Sequence, residues 1–253
     1  MNGETLQACR IVIAARHALK EKKPIKFNLI KYENSVVFEF LPMKTTFTEK
    51  SRKAFDVNEW FQECLSRELV DIKLLMPLMV KDRGVLGFSN SSQNTLVCFY
   101  KNGMVTYFTS YWEYDSSSGL WDCTYTEHLW ENPPQGIPIF DDNTDGFIKV
   151  FEKIKILAHE INCVEFADIF ANAQSILIDG TDETSEIGIS LPIKNYNLFM
   201  AASTADVFGA MGSWNDSPPY MAHEKGLDSL YNELSEELLK QQRLAIQYAV
   251  NQW

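Results

Sequence analysis

Between residues 212 and 253 the apolar positions fall at Leu227, Leu230, Tyr231, Leu234, Leu238, Ala245, Tyr248 and Ala249. Steps of three and four predict a long amphipathic helix with one docking stripe. Glu233, Glu236, Glu237, Lys240, Gln241 and Arg243 take the other face, which is expected to stay in water. The same spacing predicts helices over 5–21, with Leu6, Cys9, Ile13 and His17 on one stripe, and over 147–161 and 164–178, while 197–211, apolar and rich in small residues, reads as a buried helix. Asp56 followed by Glu59 resembles a capping box, and starts a helix whose buried stripe is Trp60, Phe61, Cys64 and Leu65.

Alternation with a period of two marks the strands. Residues 25–30 and 35–41 both alternate, which predicts a β-hairpin closed by a turn over 31–34. The basic stretch 42–54, with Lys44, Lys50, Arg52 and Lys53, reads as a solvated loop. The apolar run 69–80 fits a buried strand or a helix end. The clearest β signal is 95–100, 104–112 and 120–130, an antiparallel meander whose first turn carries Asn102-Gly103. In its last strand Trp121, Cys123, Tyr125 and Leu129 are expected inside. Asp122, Thr124, Thr126 and His128 are expected in water, with Thr106 and Thr109 beside them. Residues 179–186 read as an acidic loop, and Ile187, Ile189 and Leu191 as one more strand.

Three prolines and a glycine over 131–138 separate a β-rich half, 1–138, from a helical half, 139–253. The expected fold is α+β: an antiparallel sheet, made of the hairpin plus the three-strand meander, covered by N-terminal and C-terminal helices. The whole chain, 1–253, is read as one domain, which its 45% of hydrophobic residues can fill.

Charge narrows the partners. The chain carries 23 Lys plus Arg against 34 Asp plus Glu, a net charge of −11. That balance repels phosphate backbones, so nucleic acid is not an expected partner, while a basic protein or a cation is. Cys9, Cys64, Cys98, Cys123 and Cys163 are scattered and odd in number, which fits thiols in a reducing compartment rather than a disulfide framework. The longest apolar run, 74–80, has seven residues, against the roughly 20 needed to span a bilayer. The reading is a cytoplasmic protein that does not enter a membrane.

Two stretches carry candidate chemistry. Asp141-Asp-Asn143-Thr-Asp145-Gly146, with Glu152 beyond, fits the spacing of a calcium loop. Oxygens at positions 1, 3 and 5, the Phe147 carbonyl at 7 and a bidentate Glu at 12 would surround one ion, with glycine at 6 for the sharp turn. These twelve residues resemble the EF-hand loop, which implies Asp141, Asn143, Asp145 and Glu152 as calcium ligands. Pro138 just upstream and Lys149 at position 9 depart from that family. A second reading makes the stretch an N-cap for the following helix. The other candidate is 212–220, where Trp214, Asn215, Asp216 and Tyr220 gather hydrogen-bonding groups and aromatics as a ligand-contacting loop does. Its alternative is a helix-to-helix corner plugged by Trp214 and capped by Asn215 or Asp216.

Catalytic spacing is not visible. His159-Glu160 lacks the second histidine of a zinc-protease helix, since position 163 is Cys163. The leading expectation is therefore a non-catalytic interaction protein, an immunity- or inhibitor-type binder of a basic protein. The alternative is a hydrolase using Asp216, His223 or the acidic residues near Glu160 with a divalent ion.

Overall fold

The computed structural model describes residues 1–44, 49–181 and 189–253. Within them the chain builds an α+β fold with one six-stranded sheet and seven α-helices. In chain order these are α1 (Gly3–Glu21), β1 (Glu33–Lys44), β2 (Glu49–Ala54), α2 (Val57–Ser66), β3 (Leu69–Leu75), β4 (Thr95–Tyr100), β5 (Val105–Asp115) and β6 (Leu120–Leu129). They are followed by α3 (Thr144–Glu160), α4 (Val164–Asp179), α5 (Ile193–Thr204), α6 (Pro218–Glu224) and α7 (Asp228–Asn251), and a short 3₁₀ turn spans Arg83–Gly87.

The sheet order is β2-β1-β6-β5-β4-β3. The meander β4–β5–β6 forms as its turns dictate; Gly103 sits at φ 82° and donates to Tyr100 O at 3.0 Å. The expected first hairpin does not form. Residues 25–30 are irregular, because their polar backbone is held by side chains. Arg10 donates to Asn28 O, and Ile30 N donates to Glu33 at 2.9 Å. The partner of β1 is instead β2, inside the stretch expected to be a loop, with Phe38 opposite Ala54 and Phe40 opposite Arg52. On its other side β1 pairs with β6 in parallel, so the sheet is mixed.

The inner face of the sheet and the helices share one cluster of buried side chains that runs from Ala8 to Val250. Phe38 stacks between Trp60 of α2 and Tyr125 of β6, at ring centroids of 4.8 and 5.0 Å. The α3 stripe is buried as expected, with Phe147, Phe151 and Ile154 inaccessible. Thr106 is a correction: it is fully buried. It lies three residues from Thr109, and an odd separation in a strand turns a side chain to the opposite face. Thr109, Thr124, Thr126 and His128 are half-buried and alternate with buried Cys123, Tyr125 and Glu127.

The last helix also departs from expectation. α7 begins at Asp228, after the separate short α6 and the left-handed Gly226, and its second half is buried nearly all round. Gln241 and Arg243, expected in water, are buried with Gln242, Gln247 and Asn251. Most of them spend their hydrogen bonds on backbone: Gln242 on Ala202 O at 3.0 Å, Gln247 on Met76 N at 3.1 Å and Arg243 on Pro77 O, whereas Gln241 donates to Glu237 at 2.8 Å. Among the described residues no helix is long and apolar enough to cross a membrane. Residues 182–188, which include most of the acidic stretch and Ile187, lie outside the described residues, as do residues 45–48 of the basic stretch; Ile189 and Leu191, expected in a strand, are irregular chain leading into α5.

Candidate functional site

The acidic stretch 141–152 does not make a loop. α3 starts at Thr144, so eight helical steps separate Thr144 from Glu152, about 12 Å along the axis at 1.5 Å per residue. A calcium loop instead curls its first seven positions round the ion, and here the positions from Thr144 on are helical. The side chains are also engaged elsewhere. Asn143 Nδ2 donates to the Gln241 carbonyl at 2.8 Å and to its side-chain Oε1 at 2.7 Å. Asp142 accepts from Thr144 N at 2.9 Å and faces Lys194 Nζ at 2.5 Å. Partial burial raises the Asp142 carboxyl, but Lys194 and the Thr144 donors outweigh it and hold it below the ordinary value. Asp141, Asp145 and Glu152 are exposed. Among the described residues no group of three or more His, Cys, Asp or Glu side chains is placed to hold a metal ion. The stretch starts a helix, with Asp142, not Asp141, bonding the first turn.

The 212–220 stretch is a corner, as one of its two readings had it. Trp214 is fully buried between Phe166, Phe170 and Tyr231, at ring centroids of 5.1, 5.3 and 5.4 Å. Its Nε1 donates to Ser235 Oγ at 2.8 Å. Neither Asn215 nor Asp216 caps a helix: Asn215 Nδ2 donates to Arg83 O at 2.9 Å, and Asp216 accepts from Gly212 N at 2.8 Å. The residue before α6 is Ser217, which makes no side-chain cap bond. Tyr220 is exposed. The corner and the start of α4 enclose a hollow of about 450 Å³, lined by Cys163, Val164, Glu165, Ser213, Ser217 and Pro218. Three apolar side chains close to it in sequence or space face solvent: Val164, Met211 and Tyr220 at 51%, 92% and 64% exposure.

The groups considered for hydrolysis are not assembled. His223 Nδ1 lies 3.0 Å from Asp228 in an exposed pair, while Asp216 closes its own turn. His159 and Glu160 are exposed. Burial pushes the Cys98 and Cys123 thiols up, so both keep their protons at neutral pH and act as packing groups.

A larger cleft, of about 570 Å³, opens where the first turn of α1, the segment 86–89 and the inner sheet face meet. Its walls include Glu4, Tyr32, Leu86, Phe88, Trp112 and Trp121. Sequence reasoning missed it, because these residues come from five separated stretches. The only signal was Phe88, an aromatic residue in a polar loop, and it is 66% exposed. The segment beside the cleft is tied on both sides. Asn90 Nδ2 donates to Trp112 O at 3.0 Å and its Oδ1 accepts from Trp112 N at 2.7 Å. Glu4 accepts from the backbone N–H groups of Asn90 and Ser92. Gly87 is required there, since a Cβ would come within 2.2 Å of Ala210 N.

Charge is divided unequally. Residues 1–138 hold 16 acidic and 16 basic side chains, whereas 139–253 hold 18 acidic and 7 basic, which places the entire −11 in the helical half. No protein-family model, no curated protein and no solved structure matches this chain.

Proposed function

We propose that the chain is a non-catalytic interaction protein that binds a basic protein partner, in the manner of an immunity or inhibitor protein. The observation that carries this reading is the concentration of the net charge in residues 139–253. Exposed carboxylates line that half: Glu152 and Glu160 on α3, Glu165 and Asp168 on α4, Glu233 and Glu236 on α7. A one-signed field steers an oppositely charged partner and raises its association rate at low salt. Val164, Met211 and Tyr220 supply the apolar and aromatic contacts that such an interface needs at its centre.

The test is capture by the immobilised chain from a lysate of the organism that makes it, across a salt series. A specific partner should have a basic isoelectric point and elute earlier as salt rises. It should be lost when Glu152, Glu160, Glu165 and Asp168 are changed together to Lys. An acidic partner, or one held equally by that variant, would overturn the reading.

A further inference from the structure

We propose that the cleft between α1 and the 86–89 segment, with the Phe88 ring on its rim, is a two-fold interface between two copies of this chain. Each copy places its Phe88 ring in the cleft of the other. The residues that line the cleft all belong to the half before residue 139, so this inference is independent of the function proposed above.

Charge singles out this surface. Charged residues make up 23% of the chain, yet none falls between Arg83 and Lys101. Glu4, the one charged side chain of the cleft wall, is buried and bonded to the Asn90 and Ser92 amides. Two chains of net charge −11 repel each other on most approaches. An uncharged surface in the neutral half, 1–138, is where two copies meet at least cost. The same lack of exposed carboxylates gives a basic partner nothing to pair with here. Interface cores are depleted of charge and enriched in aromatic rings, and Val85, Phe88 and Tyr114 are all exposed around this cleft.

Shape makes the surface complementary to itself. It presents a projecting ring, and beside that ring lies a recess of about 570 Å³ walled by Leu6, Leu86, Trp112 and Trp121. A side chain next to the recess it fills needs only a two-fold rotation to be used twice, which is the isologous contact of a closed dimer. The two Phe88 rings then meet near the axis, where offset or edge-to-face packing is favourable. The segment that carries the ring is held in place. A Cβ on Gly87 would fall 2.2 Å from Ala210 N, and Asn90 bonds both backbone groups of Trp112. Phe88 is thus presented outward rather than folded back over its own cleft. A stable dimer buries about 800 Å² per copy, more than one ring supplies. Val85, Ser89, Tyr114 and Trp121 are therefore expected to join the contact.

Sedimentation equilibrium of the full chain, from micromolar to submillimolar concentration, reads the mass directly. The expected result is a reversible shift from 29.0 kDa toward twice that value. Added salt should strengthen the dimer by screening the two acidic halves, whereas it weakens the capture of a basic partner. Phe88→Glu places a charge at an exposed position, so the dimer should be lost while the fold survives. A second measurement locates the contact whether or not that variant folds. Ser89→Cys, in a Cys163→Ser background because the other four cysteines are buried, should be joined into a dimer by bismaleimidoethane. A chain that stays at 29.0 kDa throughout overturns the proposal. So does a dimer that folded Phe88→Glu retains, or one that Ser89→Cys does not cross-link.

Discussion

The side chain of Asn251 hydrogen-bonds both backbone groups of Leu74: Nδ2 donates to Leu74 O at 2.8 Å, and Oδ1 accepts from Leu74 N at 2.9 Å. β3 is an edge strand, and a carboxamide carries the same donor and acceptor as a peptide unit. The end of α7 thus supplies one residue of a missing strand, and covers a row that would otherwise be open to pairing. Asn90 does the same for Trp112, where β5 runs on past the end of its pairing with β4.

Asn251→Leu should therefore be costly although it keeps an apolar residue of similar size. It orphans a buried N–H and a buried C=O, each worth about 1–3 kcal/mol. At about 2–4 °C per kcal/mol for a domain of this size, the melting temperature should drop by roughly 5–15 °C. Scanning calorimetry measures it. A drop under about 2 °C would show that the strand edge is satisfied without Asn251.

The second prediction concerns the corner. Ser235 is the only described partner of Trp214 Nε1, and both residues are fully buried. Ser235→Ala should cost about 1–3 kcal/mol by leaving the indole N–H unpaired. Iodide should quench Trp214 little, and Trp214→Phe should remove a blue-shifted, quench-resistant component of the emission. If the lost component were instead readily quenched, the corner would be open in solution.

How much of this was readable from sequence depended on which force set each element. The meander was legible because Asn102-Gly103 and strict alternation act locally. α2 was legible because Asp56 accepts from Glu59 N at 2.7 Å, within four residues. β2 was not, since the polar composition that marked a loop is also what an edge strand carries to discourage pairing. Residues 25–30 misled in the opposite direction, alternating without a strand to pair with. The polar face of α7 was read as wet, although Gln242, Gln247 and Asn251 bury it against backbone from distant parts of the chain. Of the candidate sites, Trp214 was legible as a plug. The ion-loop pattern described spacing only, and the start of α3 at Thr144 overrode it.

Calcium makes the third prediction. Melts with millimolar calcium and with chelator should coincide, because α3 carries Glu152 away from the Asp141–Asp145 turn. A tightly bound ion at a hundredfold excess over Kd would add about 2.7 kcal/mol, a rise of roughly 5–10 °C that calorimetry resolves easily. Such a rise, abolished in Glu152→Gln, would mean that the start of α3 unwinds to bind.

The last prediction is a pH dependence at the β5–β6 turn. Asp115 accepts from the Ser117 hydroxyl at 2.7 Å, from Ser117 N at 2.9 Å and from Ser118 N at 3.3 Å. The Ser117 hydroxyl leads these donors in favouring the ionised form, and together they hold its carboxyl at about 2. In the unfolded chain the same group titrates near 3.9. A carboxyl whose folded value is depressed adds stability that is fully present above the unfolded value and fades as pH falls through the folded one. Its contribution should therefore be constant above about pH 5 and vanish between about pH 4 and pH 2. Asp115→Asn keeps the shape and one acceptor oxygen but cannot ionise. Urea melts of both proteins at pH 6, 4, 3 and 2 should show a stability gap that is flat at first and then narrows. Carboxyl-detected NMR should place the Asp115 midpoint well below that of the exposed acidic residues. A gap that stays constant to pH 2, or a midpoint near 4, would mean that the turn opens in solution and the serine donors do not hold the charge.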